Sequence, residues 1–327
     1  MNYKKNHLLR LTPIAVLLLV STLIRAQTLA DVINAFNAGA EEINAGNFET
    51  AISKFEECVQ LADQLGSEGE EMKGKAQEQL PTIHYRIALD KYKEKDIDGA
   101  ISWFEKTVTT CEQYGNDDIK TKSLNYIPQL YYVKGNTQAK DEEYEEALAS
   151  FDKAIEYLPD YTKAYYSMGV VYRKLEQEEN MFTALDKAIE SGKTSGDEKT
   201  AEAAVKTARD YLVIAGVKAL KEENYESAIN LLNASMKYDD QYAEPYYYLS
   251  AIYNKQLEYD KAIENAEKAL AYDDSEPEKK ARIYFELGNA YVGIVEYNKA
   301  CEAFKNALYE PYTSNVKHKM DNVLQCQ

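Results

Sequence analysis

Asp141–Tyr172, DEEYEEALASFDKAIEYLPDYTKAYYSMGVVY, reads as helix, turn, helix. Tyr144, Ala147, Leu148, Phe151, Ala154, Ile155 and Leu158 recur at spacings of three and four, so they share one face of an α-helix whose other face is Glu and Lys. Pro159 ends that helix, because proline has no N–H to give and its ring collides with the preceding turn. A second helix starts near Thr162, with Tyr165, Met168, Gly169 and Tyr172 as its apolar stripe. Neither helix buries its face alone, so the pair needs neighbours of the same kind.

Those neighbours are written along the chain. A small residue followed twelve positions later by an alanine recurs as Gly39/Ala51, Ala88/Ala100, Gly135/Ala147, Gly216/Ala228, Ser250/Ala262 and Gly288/Ala300, with Gly169/Met181 as the departure. Four residues after the second landmark stands a large apolar side chain at Phe55, Phe104, Phe151, Leu185, Leu232 and Phe304, and three before it an aromatic at Phe48, Tyr144, Tyr225, Tyr259 and Tyr297. Seven after it the residue is small again: Cys58, Thr107, Ala154, Ala188, Ser235, Ala269 and Ala307. Small positions let two antiparallel helices approach closely, and the large ones fill the space beside that contact.

This pattern resembles the tetratricopeptide repeat family, most fully at Tyr284, Leu287, Gly288, Tyr291, Ala300, Phe304, Ala307 and Pro311. The resemblance implies an all-α fold, a right-handed α-α superhelix of about seven helical hairpins. The repeats run approximately over 32–65, 81–114, 128–161, 162–195, 209–242, 243–276 and 281–312, with a capping helix at 313–327. It implies little about function, because this scaffold hosts many unrelated binding roles.

Met1–Ala26 carries Lys4, Lys5 and Arg10 ahead of a mostly apolar run, Leu11–Ile24, and then Arg25-Ala26-Gln27. That is the layout of a cleaved export signal, with cleavage after Ala26. The run contains Pro13 and is shorter than the roughly twenty apolar residues a membrane span needs. The expectation is a periplasmic or secreted protein, residues 27–327, with no integral span after cleavage; an uncleaved segment anchoring the chain in the inner membrane is the alternative. Loss of four cations takes the formal charge from −17 to −21. Such a balance repels nucleic acid and anionic lipid.

The second landmarks are spaced 49, 47, 34, 47, 34 and 38 residues apart, so three junctions carry insertions: Leu65–Leu80, Tyr114–Asn125 and Gly192–Ala204. They are charged and show no apolar periodicity of their own. Divided between the flanking helices, each insertion lengthens both by roughly two turns, with turns at Gly66-Ser67-Glu68-Gly69, Gly115-Asn116-Asp117-Asp118 and Ser191-Gly192 through Ser195-Gly196. Loops on that edge are the alternative. At the other end, Val316, Met320 and Val323 or Leu324 repeat at helical spacing, as a helix covering the last repeat would.

Four cysteines remain. Cys301 lies beside Ala300, and an antiparallel cap brings Cys326 level with it, so a bridge is one reading and free thiols the other. Cys58 occupies a small-residue packing position; a bond to Cys111 is a further alternative. No metal-ligand spacing is present, no cofactor motif, and no phosphate loop, serine elbow or H-E-x-x-H. His84 and His318 read as packed or solvated histidines. The chain is therefore read as no enzyme.

Three residues before each small landmark stand Phe36, Tyr85, Tyr132, Tyr166, Val213, Tyr247 and Phe285, all but one aromatic. By the family resemblance this face lines a concave groove that holds a protein or peptide partner; the rings also suit packing between neighbouring first helices. Five residues after the landmark stand Lys93, Lys140, Lys174, Lys221 and Lys255. They suit the carbonyl ends of their helices, or a row that steers acidic groups toward the groove. The carboxylate clamp of chaperone-binding relatives needs lysine and asparagine where this chain has Tyr132, Tyr166 and Ser167, which argues against recognition of an acidic C-terminal tail. The reading is a non-catalytic interaction scaffold, with a structural or assembly component of the bacterial cell envelope as the alternative.

Overall fold

The computed structural model describes residues 28–326; Met1–Ala26, read above as an export signal, lies outside them. The described residues hold fifteen α-helices and no strand. In chain order they are α1 (Leu29–Ala45), α2 (Phe48–Leu65), α3 (Glu70–Lys93), α4 (Ile97–Tyr114), α5 (Asp117–Lys140), α6 (Tyr144–Tyr157), α7 (Thr162–Lys174) and α8 (Glu178–Ser195). They continue as α9 (Glu198–Lys221), α10 (Tyr225–Ser235), α11 (Ala243–Lys255), α12 (Tyr259–Tyr272), α13 (Pro277–Gly293), α14 (Tyr297–Asn306) and α15 (Thr313–His318). Consecutive helices pair as hairpins, α1 with α2 through α13 with α14. Packing divides the chain into two units that meet in sequence between Lys134 and Gly135, inside α5.

Six of the seven hairpins close on a small residue and a large one sixteen positions on. A Cβ added to Gly39 would stand 3.0 Å from the Phe55 ring, one on Gly135 2.6 Å from Phe151, and one on Gly216 3.0 Å from Leu232. Phe55, Phe104, Phe151, Leu185, Leu232 and Phe304 are all fully buried. Five of the seven landmarks are glycine, so that the large residue of the returning helix can lie against the backbone. Met181, the departure from alanine, is also fully buried beside Gly169, its flexible side chain filling the gap.

The turns are as regular as the contacts. At the end of every first helix one N–H reaches back to the carbonyl five residues earlier, at 2.9 to 3.0 Å: Asn47 to Glu42, Asp96 to Lys91, Glu143 to Gln138, Gln177 to Tyr172, Asn224 to Ala219, Glu258 to Tyr253 and Glu296 to Tyr291. This closure requires a left-handed residue just before the donor. Gly46 fills it in the first hairpin, but Lys95, Glu142, Glu176, Glu223, Leu257 and Val295 fill it elsewhere, with φ between 58° and 65°. Asp96 and Asn224 then accept from Gly99 N–H (3.0 Å) and Ser227 N–H (3.2 Å), so one residue ends a helix and starts the next.

The three insertions are helical, but they are not shared evenly. α3, α5 and α9 have 24 residues each against 13 in α7 and α11, whereas α2, α4 and α8 have 18 against 14 in α6 and α12. First helices therefore gain about three turns and second helices about one. The turns fall at the 3-10 segment Gly66–Glu68, at Gly115-Asn116 and at Gly196. Ser191 and Gly192 instead stay inside α8, where a Cβ on Gly192 would stand 2.6 Å from that of Ala201. Pro81 and Pro128 lie within α3 and α5, seven residues before the landmark, where α7 and α11 begin. Each marks the ordinary start of a repeat, extended backwards.

The cap is a short helix that widens. α15 passes into a π-helical turn at Lys319–Leu324, closed by Cys326 N–H on the Met320 carbonyl at 2.9 Å. Val316 is fully buried against Ala300, Phe304 and Ala307, with Met320 and Leu324 beside it, while Val323 faces out. Cys301 and Cys326 are joined by a disulfide. Cys58 and Cys111 are buried free thiols, and burial raises the pKa of both.

Candidate functional site

The ring register of the first helices is half-buried throughout, and most of its rings have structural work. In the first unit Phe36 meets Phe55 edge-on at 5.3 Å and Tyr85 meets Phe104 at 5.8 Å, each across its own hairpin. Tyr132 is half-buried on α5. In the second unit Tyr166 reaches the following first helix: Thr207 donates its hydroxyl proton to Ala203, leaving its oxygen to accept from the Tyr166 hydroxyl at 3.4 Å. Val213 is buried. Phe285 lies 6.2 Å from Phe304 and 5.0 Å from Tyr312 of the cap junction.

Lys93, Lys140, Lys174, Lys221 and Lys255 are each the last residue of α3, α5, α7, α9 and α11, and all are exposed. There the uncapped carbonyls favour a cation. Lys93 additionally bridges Asp90 at 2.9 Å.

The two histidines of the described chain are accounted for by packing. His84 Nδ1 lies 2.8 Å from the Thr110 hydroxyl, which itself donates to Lys106 O at 2.7 Å, so the imidazole is the donor of that pair. Burial depresses its pKa. His318 is exposed, 3.2 Å from the Asn322 amide. Among the described residues no three His, Cys, Asp or Glu side chains come together as a metal site. No described helix is long and apolar enough to cross a membrane.

The densest polar arrangement lies on the first helices of the last two hairpins, α11 and α13. Arg282 grips Glu244 with both guanidinium arms, at 2.8 and 2.5 Å, and stacks over the Tyr247 ring at 4.5 Å. The Glu244 bonds hold the guanidinium more firmly protonated. Tyr247 also lies 4.8 Å from Tyr248; burial raises its pKa, and the neighbouring Tyr312 and Glu286 add to the rise. One turn after Arg282, Glu286 receives Asn254 Nδ2 on its backbone oxygen at 2.9 Å and on its carboxylate at 2.8 Å. Burial raises the Glu286 pKa, a rise partly offset by bonds from Asn254 and Asn289 and by the charges of Lys255 and Lys319.

Beside this cluster a cleft of about 520 Å³ opens between the starts of α11 and α13 and the Glu310–Tyr312 turn, with Tyr242, Tyr272 and Asp273 in its wall. Tyr247 and Phe285 stood out in the sequence by their register. Glu286, Asn254, Asn289 and Arg282 did not, because a charged or amide side chain on an amphipathic helix reads as wet face until the neighbouring hairpin is seen to cover it.

Comparison with known proteins places repeats of one kind in the middle of the chain. A TPR repeat family model matches residues 130–175, and a tetratricopeptide repeat model matches residues 162–191. The chain is 23% identical over 225 residues, 69% of its length, to the TPR repeat-containing protein YpiA of Bacillus subtilis (strain 168), covering 46% of that protein. It is 26% identical over 184 residues, 53% of its length, to the TPR repeat-containing protein MJ1428 of Methanocaldococcus jannaschii, covering 32% of it. It thus spans less than half of each of these relatives. Among solved structures, YrrB, titled a TPR protein with an unusual peptide-binding site, aligns with 62% of this chain and 97% of its own at 20% identity and a TM-score of 0.34. The P58(IPK) TPR domain aligns with 90% and 78% at 17% identity and a TM-score of 0.33.

Proposed function

We propose that this chain is a non-catalytic scaffold that holds a protein or peptide partner along the ring-bearing face of its first helices. The observation that carries this reading is the cluster on α11 and α13. There an aromatic wall of Tyr247, Tyr248 and Phe285 stands next to a buried hydrogen-bonding network beside an open cleft, an arrangement that hairpin packing alone does not require. Export to the periplasm or beyond completes the proposal, and residues 27–327 would be the working protein.

The test is affinity capture from a native envelope fraction with the tagged chain and with a variant carrying Tyr132→Ala, Tyr166→Ala and Tyr247→Ala. The expected outcome is at least a tenfold loss of captured partner at unchanged helical circular dichroism. Capture that survives all three substitutions would remove the groove from the account.

A further inference from the structure

Glu286 is surrounded by oxygen atoms that lack donors. The backbone carbonyl of Glu286 can only accept, so Asn254 must turn its nitrogen, not its oxygen, toward it; the carboxylate takes the other amide hydrogen. The amide oxygens of Asn254 on α11 and of Asn289 on α13 are left buried without a partner. Lys255 and Lys319 are the cations whose charge Glu286 feels, and neither forms an ion pair with it among the described residues. The cluster is short of N–H groups.

We propose that this cluster seats a basic side chain of the partner, a guanidinium or ammonium group, with Glu286 as its counter-ion and the Tyr247 and Phe285 rings on the same face. The inference rests on the peptide-groove reading above and names the chemistry of what binds there. A guanidinium brings five N–H donors and an ammonium three, and neither brings an acceptor, which matches what the cluster lacks. The Asn254 and Asn289 amide oxygens, which have no donor of their own, are the acceptors such a group would meet. The rings offer cation-attracting faces of the kind Tyr247 already turns to Arg282 at 4.5 Å. The long-range field has the same sign, since a chain of formal charge −17 draws cations and repels anions. An acidic side chain would instead set like charge against Glu286. Lys255 and Lys319 stand at the rim as internal competitors.

The experiment is selection of a phage-displayed random dodecapeptide library on the immobilised chain, residues 27–327, beside E286Q and K255Q. Gln keeps an acceptor for the Asn254 amide while removing the charge; N289L serves as a second variant if E286Q loses helical circular dichroism. The wild type is expected to enrich peptides with Arg or Lys at one fixed position. E286Q should lower that enrichment at least tenfold while the other consensus positions survive, and K255Q should raise it. A consensus without a basic position, enrichment unchanged in E286Q, or enrichment lowered in K255Q overturns the inference and leaves the groove reading standing. No enrichment over the starting library overturns both.

Discussion

The hairpin α3/α4 of the first unit and the first helices α11 and α13 of the second treat their buried polar groups in opposite ways. In α4 the Thr107 and Thr110 hydroxyls turn back to the Trp103 and Lys106 carbonyls of their own helix, both at 2.7 Å, and His84 finishes on Thr110. Nothing is left over. Between α11 and α13 the polar bonds run from one hairpin to the next, Arg282 to Glu244 and Asn254 to Glu286, and two amide oxygens remain unpaired. A closed network adds only stability and definition, whereas an open one is costly unless something completes it. The contrast separates a region whose polar groups are paired within its own hairpin from one that leaves acceptors open.

The strongest way to break this contrast is to empty each core in turn. Phe104→Ala and Phe304→Ala each remove a fully buried ring and should cost about 3–5 kcal/mol. Hydrogen exchange should then lose protection around α3/α4 in the first variant and around α13/α14 and the cap in the second. Equal loss in both places from either variant would mean that the regions are one cooperative block. Next comes the bridge: replacing Cys301 and Cys326 by serine reopens a link across a sequence separation of 25 and should cost about 3 kcal/mol. Exchange of residues 313–326 should quicken while α3/α4 stays protected; uniform protection would show that Val316 and its neighbours hold the cap unaided. The smallest effect sharpens the comparison at the turns. Val295 is β-branched, 63% exposed and held at φ 65°, so Val295→Gly should raise the unfolding free energy, read from denaturant titration, by up to about 1 kcal/mol, and Lys95→Gly, relieving an unbranched residue, by less.

The sequence made the hairpins legible because Gly39, Gly135 or Gly288 and the large residue sixteen positions on leave a mark that few other folds would. It also placed the cap stripe of Val316 and Met320. The insertions were harder, since apart from Leu80 at the edge of the first the residues that bury there are small: Ala76, Ser123, Ala201 and Ala204. A search for large apolar residues at helical spacing passes over them, yet close helix approach needs nothing larger. The left-handed turn position was missed for a related reason. Its occupants, from Lys95 to Val295, share no chemistry, and only their common offset of seven from the landmark betrays them. Glu286 could not be told from the dozens of solvated carboxylates around it, because its burial comes from residues on α11 and in the cap rather than from its own helix.

One hairpin departs from the size rule on both sides at once. Ser250 stands where the others have Gly or Ala, and Ala266 stands where they have Phe or Leu; both are fully buried. Exchanging returning helices between this hairpin and the next would set Phe304 against the Ser250 hydroxyl and leave a void over Gly288. A recombination point placed inside a helix pair, rather than between pairs, should therefore yield chains that do not fold.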